Sequence, residues 1–314
     1  MPIPVVDLAG FLSGEPERKS AFVQALGKAY EEVGFVAVKN HGIPGELIDS
    51  LYKYVQQFFA LPADTKKKYE IPGLSGQRGY TSFGKEHAKG SDAPDLKEFF
   101  QFGQTVEDND PVKSEYPHNV SVDEVQAFAP VFREAYQAFE KTGRHLLQAI
   151  ALYLGLNENY FETHVHNGNS ILRAIHYPPI LREPKSAIRA EQHEDINLVT
   201  LLVGASAGGL QIQSRQNEWL DAVSHPDQIV VNVGDMLQRL TNNKLKSTTH
   251  RVVNPPRESW HTSRFSIPFF LHPKNEMSLG CLKSCISLDR PKAYADITAG
   301  AYLDERLREI GLKK

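Results

Sequence analysis

The chain has two cysteines in 314 residues, Cys281 and Cys285. So few exclude a disulfide framework, and a single pair four positions apart is a poor zinc signature. Both are expected as reduced thiols. Net charge is only −3, from 35 Lys and Arg against 38 Asp and Glu, and no basic run stands out. The footprint of a nucleic-acid binder is therefore missing. No apolar stretch approaches the roughly 18 residues of a membrane span. The opening MPIPVVDLAGFL lacks a basic segment followed by an apolar one, so no signal peptide is expected and the chain reads as cytoplasmic. Internal repeats and low-complexity tracts are absent as well. The expected partner is a small molecule, not a nucleic acid or a membrane, and the protein is expected as a monomer or weak homo-oligomer.

Apolar residues make up 41% and charged residues 23%, ordinary for a globular protein. The length bounds the chain at one large domain or two. IPVVDL (3–8) reads as a strand, 16–33 as a helix with Phe22, Leu26, Tyr30 and Val33 on one face, and 34–42 as a strand ending in a turn. A second helix covers 44–60, with Leu47, Leu51, Val55 and Phe59 aligned. Residues 72–95 read as a long loop, 96–103 as a strand, and 122–155 as one long helix or two. From 171 on, short β-rich segments follow one another with Gly, Asn, Asp or Pro between them, the pattern of a sandwich or barrel. A last helix is expected at about 299–310. The class is α+β: a double-stranded β-helix, or cupin-like jelly roll, with a helical N-terminal half and a C-terminal helix. Without a linker rich in Pro, Gly or Ser, 1–314 reads as one integrated domain. Its parts are a mainly helical region (about 1–165), a jelly-roll core (about 166–285) and a C-terminal segment (286–314).

Three residues carry the chemistry: His193, Asp195 and, 55 positions later, His250. Two imidazoles and one carboxylate can cover one face of a metal and leave the other open, the ligand set of non-haem Fe(II) oxygenases. With 12 His and 38 acidic residues, about one or two such triplets arise by chance, so context must decide. His225-Pro226-Asp227 is a second triplet, but its proline and flanks read as a loop. His193 instead opens into an apolar run. On a strand, i and i+2 share a face, so His193 and Asp195 reach one ion while Glu194 points away. His250 is expected on a distant strand. Arg264 and Ser266, two apart in RFSIPFF, are placed to hold a co-substrate carboxylate beside the metal.

Several ordered motifs together resemble the isopenicillin N synthase-like Fe(II)/2-oxoglutarate-dependent dioxygenases. They are IPVVDL, GFVAVKNHGIP, GYTSFGKE, LKEFFQF, YPP, HEDINLVTLL, GLQI, VNVGDMLQRLTNN, HRVVNPP and RFSIPFF, which together run along nearly the whole chain. The resemblance implies iron on His193, Asp195 and His250. It implies the distal carboxylate of 2-oxoglutarate on Arg264 and Ser266, with Tyr177 near the co-substrate. An arginine fork suits a carboxylate. One departure is a longer turn through 255–261, between His250 and Arg264. The implied reaction consumes O2 and 2-oxoglutarate, releases succinate and CO2, and oxidises a substrate C–H bond by hydroxylation or desaturation. An oxidase using the same iron site without 2-oxoglutarate stays open, since HEDINLVTLL and LTNN resemble that subgroup. A non-catalytic metal-binding sensor and a zinc hydrolase also stay open.

Other features are weighed against plainer readings. Gly79 to Lys85 fits the start of a P-loop, but Glu86 stands where Ser or Thr should hold magnesium, and no strand leads in. Arg78, Tyr80 and Phe99 are instead candidate substrate contacts. His164 and His166 read as a surface loop. His176 should face away from Tyr177 as a packed or hydrogen-bonded histidine. GASAGG (204–209) reads as a hairpin loop. Asn232 and Asp235 are expected to shape a turn near the barrel, with support of the metal ligands as a second role.

Overall fold

The computed structural model describes residues 3–74, 76–86, 94–184, 186–223 and 225–309. The N-terminal half contains β1 (Val5–Asp7), α1 (Leu8–Leu12), α2 (Pro16–Glu32), β2 (Phe35–Lys39), α3 (Gly45–Phe59), α4 (Ala63–Lys67), β3 (Gly79–Thr81), β4 (Glu98–Gly103), α5 (Phe128–Tyr153) and α6 (Glu162–Val165). Pro16 opens α2, where a missing N–H costs nothing. Gly34 turns the chain from α2 into β2 at a φ of 77°, a conformation glycine adopts without penalty. Helix α3 buries Leu47, Leu51, Val55, Phe58 and Phe59 along one stripe. Helix α5 is a single element; its stripe of Phe128, Phe132, Tyr136 and Phe139 continues into Gly143 and Leu147. A Cβ on Gly143 would lie 2.3 Å from Leu271 Cδ1, so glycine lets the helix lie close to the sheet.

The C-terminal half contains β5 (Ile171–Tyr177), β6 (Ala190–His193), β7 (Val199–Val203), β8 (Leu210–Gln213), β9 (Trp219–Asp221), β10 (Gln228–Val233), α7 (Asp235–Leu240), β11 (His250–Val252), β12 (Arg264–Leu271) and α8 (Ala299–Glu309). Two sheets form. The larger runs β1-β2-β10-β7-β12-β5-β4-β3 and the smaller β6-β11-β8-β9. From β5 to β12 the chain passes repeatedly between them, which makes the jelly roll. All pairings are antiparallel except β1 with β2.

The larger sheet is two-sided, and strand alternation sorts its residues. Leu172, Ala174, Val199, Leu201, Ile229, Val231, Ile267, Phe269 and Leu271 join the helices in the main apolar core. Ile171, Arg173, Ile175 and Tyr177 on β5 face the smaller sheet with Arg264, Ser266, Pro268 and Phe270 on β12. On the helix side, Phe58, Phe100, Phe128 and Phe132 pack ring on ring, with centroids 4.3 to 6.4 Å apart. Each such buried ring contributes about 1.5–3 kcal/mol.

Four expectations are corrected. The loop over 72–95 contains strand β3, and its residues 75 and 87–93 lie outside the described residues. GASAGG is not a hairpin, because β7 and β8 belong to different sheets and the segment crosses between them. Asp195 is not on the strand of His193: β6 ends at His193, and Asp195 lies in the passage to β7. His250 is not on a distant strand, since β11 pairs β6 and puts His250 opposite His193. The 255–261 turn holds a short 3-10 turn, Arg257–Ser259.

Candidate active site and metal centre

Between the sheets lies a cavity of about 660 Å³. His193, Asp195 and His250 line it, and one ligand atom from each lies within 4.8 Å of the others. The His193 and His250 Nε2 atoms sit 3.8 and 3.6 Å from Asp195 Oδ1. Local bonding aims each of them. His193 Nδ1 meets the Glu191 carbonyl at 2.7 Å and His250 Nδ1 the Thr248 carbonyl at 3.1 Å. A carbonyl only accepts, so each Nδ1 carries a proton and each Nε2 is the atom turned to Asp195. Thr200 Oγ1 donates to Asp195 Oδ2 at 2.6 Å and Asn232 Nδ2 donates at 2.7 Å, leaving Oδ1 for the cavity. The Asp235 amide holds the Asp195 carbonyl at 2.9 Å. Asn232 and Asp235 thus both support the ligand loop.

Electrostatics match this donor set. Burial, then the neighbouring His250, holds the His193 imidazole well below its ordinary value, hence neutral. Burial pushes Asp195 up, but the two histidines and the Asn232 and Thr200 hydrogen bonds outweigh it, so the carboxylate stays ionised. Two imidazole nitrogens and one charged oxygen, with their far sides already bonded, fit a divalent iron with an open face.

Arg264 enters the same cavity. Its Nε donates to the Ala207 and Gly208 carbonyls at 3.0 and 3.1 Å, the role the GASAGG segment serves. Its buried Nη1 has no partner among the described residues. Tyr177, its register partner on β5, lies beneath it, with the guanidinium 5.0 Å from the ring centroid. Ser266 lines the wall two residues on. An orphaned, buried cationic donor is satisfied by an anion.

Two of the three expected substrate contacts lie elsewhere. Arg78 is buried against the Gln104 side chain and the Gln77 carbonyl. Tyr80 faces the helices and donates to Glu98. The register sets Tyr80 opposite Phe100, so its side chain shares the helix face with Glu98 and Phe100, and Arg78, two residues earlier, points the same way. Phe99 does face inward, beneath the Arg173 guanidinium at 4.3 Å. The polar residues that do line the cavity were not singled out by sequence. Lys97 pairs with Glu86 and Asp95 at 2.7 Å each, and Arg173 Nε donates to Gln101 Oε1 at 2.9 Å. Burial pushes Glu86 up, yet Lys97 and Arg173 hold it at about 2. Period-2 alternation through Lys97, Phe99 and Gln101 was the available signal. His176 bonds Glu98 and Ser263 on the opposite face from Tyr177, as expected. The His225 triplet is an exposed turn with an internal His225–Asp227 pair.

Fold and site together describe an oxygenase of the non-haem iron class. Residues 168–273 match the family model for the 2OG-Fe(II) oxygenase superfamily, and residues 3–124 match that for the N-terminal region of non-haem dioxygenases in morphine synthesis. The chain belongs to the 2OG-Fe(II) oxygenase superfamily. It is 33% identical to proline hydroxylase buaE of Petromyces alliaceus, over 98% of this chain and 99% of that one. A Caulobacter crescentus structure of the 2OG-Fe(II) oxygenase family shares 39% identity and a TM-score of 0.88, covering 98% of this chain and 99% of that one. A full-length Neurospora crassa protein solved with alpha-KG and thymine shares 30% identity and a TM-score of 0.86, covering 98% and 96%. The protein is an enzyme that depends on Fe(II) and 2-oxoglutarate. Among the described residues, no helix is long and apolar enough to cross a membrane.

Proposed function

We propose that His193, Asp195 and His250 hold the iron, and that Arg264 and Ser266 hold the far carboxylate of 2-oxoglutarate, with Tyr177 beside the co-substrate. The enzyme then oxidises a C–H bond of a small molecule, with hydroxylation as the outcome. The reading is carried by one observation: both Nε2 atoms converge on Asp195 Oδ1 in the cavity that also contains the orphaned Arg264 donor. When bound, iron and 2-oxoglutarate supply the oxidant from O2, with release of succinate and CO2. The protein's own work is positional. The His193 imidazole, held neutral by burial, binds a metal without losing a proton, and Asp195 brings the one negative charge. Ile175, Leu210 and Val252 form an apolar stretch of wall. Lys97, Glu86, Asp95, Arg173 and Gln101 give the cavity a polar side for the substrate, with Phe99 as the ring under Arg173.

A small polar substrate is consistent with relatives named for proline hydroxylation or solved with thymine. The same reading takes 1–314 as one integrated domain, a cytoplasmic monomer or weak homo-oligomer. An apolar core running from Val6 to Tyr302 supports the first point, and two unpaired cysteines agree with the compartment. The test is anaerobic titration of Fe(II)-loaded protein with 2-oxoglutarate. A saturating visible charge-transfer band is expected, followed by succinate release when substrates are screened. No band with iron bound would overturn the co-substrate assignment in favour of the oxidase that needs none.

A further inference from the structure

We infer that Arg189 is a second cation of the co-substrate site, a positioning residue that acts through Tyr177 and Arg264 without touching the ligand. This rests on the reading of Arg264 above. Arg189 stands just before β6 and is 2% exposed. Its guanidinium lies 5.9 Å from the Tyr177 ring centroid, against 5.0 Å for Arg264, so both flank one aromatic ring. Its Nη2 donates to the Thr262 carbonyl at 3.1 Å, two residues before Arg264 on the same chain. Its buried Nε has no partner.

Among the described residues, neither Arg189 nor Arg264 makes an ion pair with a carboxylate. Of the other buried cations, Lys66 pairs with Glu98 and Lys97 with Glu86 and Asp95, while Arg78 rests on the Gln77 carbonyl and Gln104 Oε1; Arg189 and Arg264 differ from all three in sharing one ring. A buried cation with no counter-charge costs stability. Burial and then the charge of Arg264 lower Arg189 to about 10. Two uncompensated guanidinium groups beside one ring are a standing field for an anion, and the hydrogen bond to Thr262 ties Arg189 to the backbone that aims Arg264. The consequence is selection for a co-substrate with a carboxylate at its far end.

The experiment compares Arg189→Met and Arg189→Lys with the parent, using 2-oxoglutarate itself as probe. Three quantities are read: affinity from the anaerobic charge-transfer band, KM against kcat, and melting temperature with and without 2-oxoglutarate. Arg189→Met is expected to weaken 2-oxoglutarate roughly tenfold or more, with kcat at saturation falling by less. Arg189→Lys restores most of the affinity, because charge is what matters. Without ligand, Arg189→Met melts no lower than the parent, since an unpaired buried cation has been removed. Equal affinity in parent and Met variant, or an equal loss in the Met and Lys variants, overturns the inference. So does a Met variant that melts lower yet binds 2-oxoglutarate as tightly as the parent. A parent that gives no band would instead sink the co-substrate reading.

Discussion

Strands β4 and β5 carry buried charge on both faces, and the two faces differ in how completely it is paired. On the helix face, Glu98 receives Lys66 at 2.8 and 2.9 Å, His176 at 2.7 Å and the Tyr80 hydroxyl. That cluster is closed, with several donors converging on one acid. On the cavity face Lys97 is closed by Glu86 and Asp95, but Arg173 meets Glu86 only at 3.3 and 3.4 Å, and further along the wall Arg264 keeps a donor with no partner among the described residues. A closed cluster specifies and braces a fold, whereas a site that must bind leaves its charge unanswered until the ligand arrives. Both faces are buried, so the difference lies at Arg173 and Arg264, not at the closed Lys97 cluster.

Substitutions can break that contrast. The largest effect is expected at the metal: His193→Ala or Asp195→Ala should abolish iron-dependent turnover while the protein still folds. Succinate release with iron and 2-oxoglutarate supplied measures it, and normal turnover in either variant would remove the site assignment. Next is Arg264→Ala, which should raise the 2-oxoglutarate requirement sharply with iron still bound. A steady-state titration beside metal analysis checks this, and loss of iron would contradict the carboxylate role. On the helix face, Glu98→Ala should behave in the opposite sense. It leaves Lys66 buried without its acid and is expected to cost about 3–5 kcal/mol in stability, with turnover per folded molecule little changed. Urea unfolding measures the first part and activity at low temperature the second.

The smallest effect is the response to acid. Glu86 has a folded value of about 2, below the 4.5 of an ordinary glutamate. A carboxyl depressed in this way adds stability that is fully present above the unfolded value and is lost as pH falls toward the folded one. Stability should therefore decline between about pH 4.5 and 2, and Glu86→Gln should flatten that decline. Urea midpoints across this range would show it, and an unchanged slope would mean the Lys97 cluster contributes nothing to the acid response.

Much of the fold was legible because it rests on local periodicity. The stripes of α2, α3 and α5 and the strands from Ile171 to Leu271 follow from the spacing of apolar residues. The opposite facing of His176 and Tyr177 followed from alternation alone. What alternation could not say was the register of β3 on β4, so Arg78 and Tyr80 were expected toward the cavity while Lys97 and Gln101 went unnoticed. The passage from β6 to β7 was likewise hidden inside one apolar run. Asp195 reaches the two histidines by leaving the strand, held there by Asn232 and Thr200 from the other sheet.

By itself the sequence determined the kinds of ligand, their order, and the strands and helices that carry them, since each depends on residue type and spacing within one element. Tertiary structure alone decided that His250 lies opposite His193, that Asp195 turns its Oδ1 to both, and that Arg189 and Arg264 meet at Tyr177 without an acid. Those are matters of register and of which sheet a passage joins. Pairing between residues far apart in sequence settles them, and no local pattern encodes it.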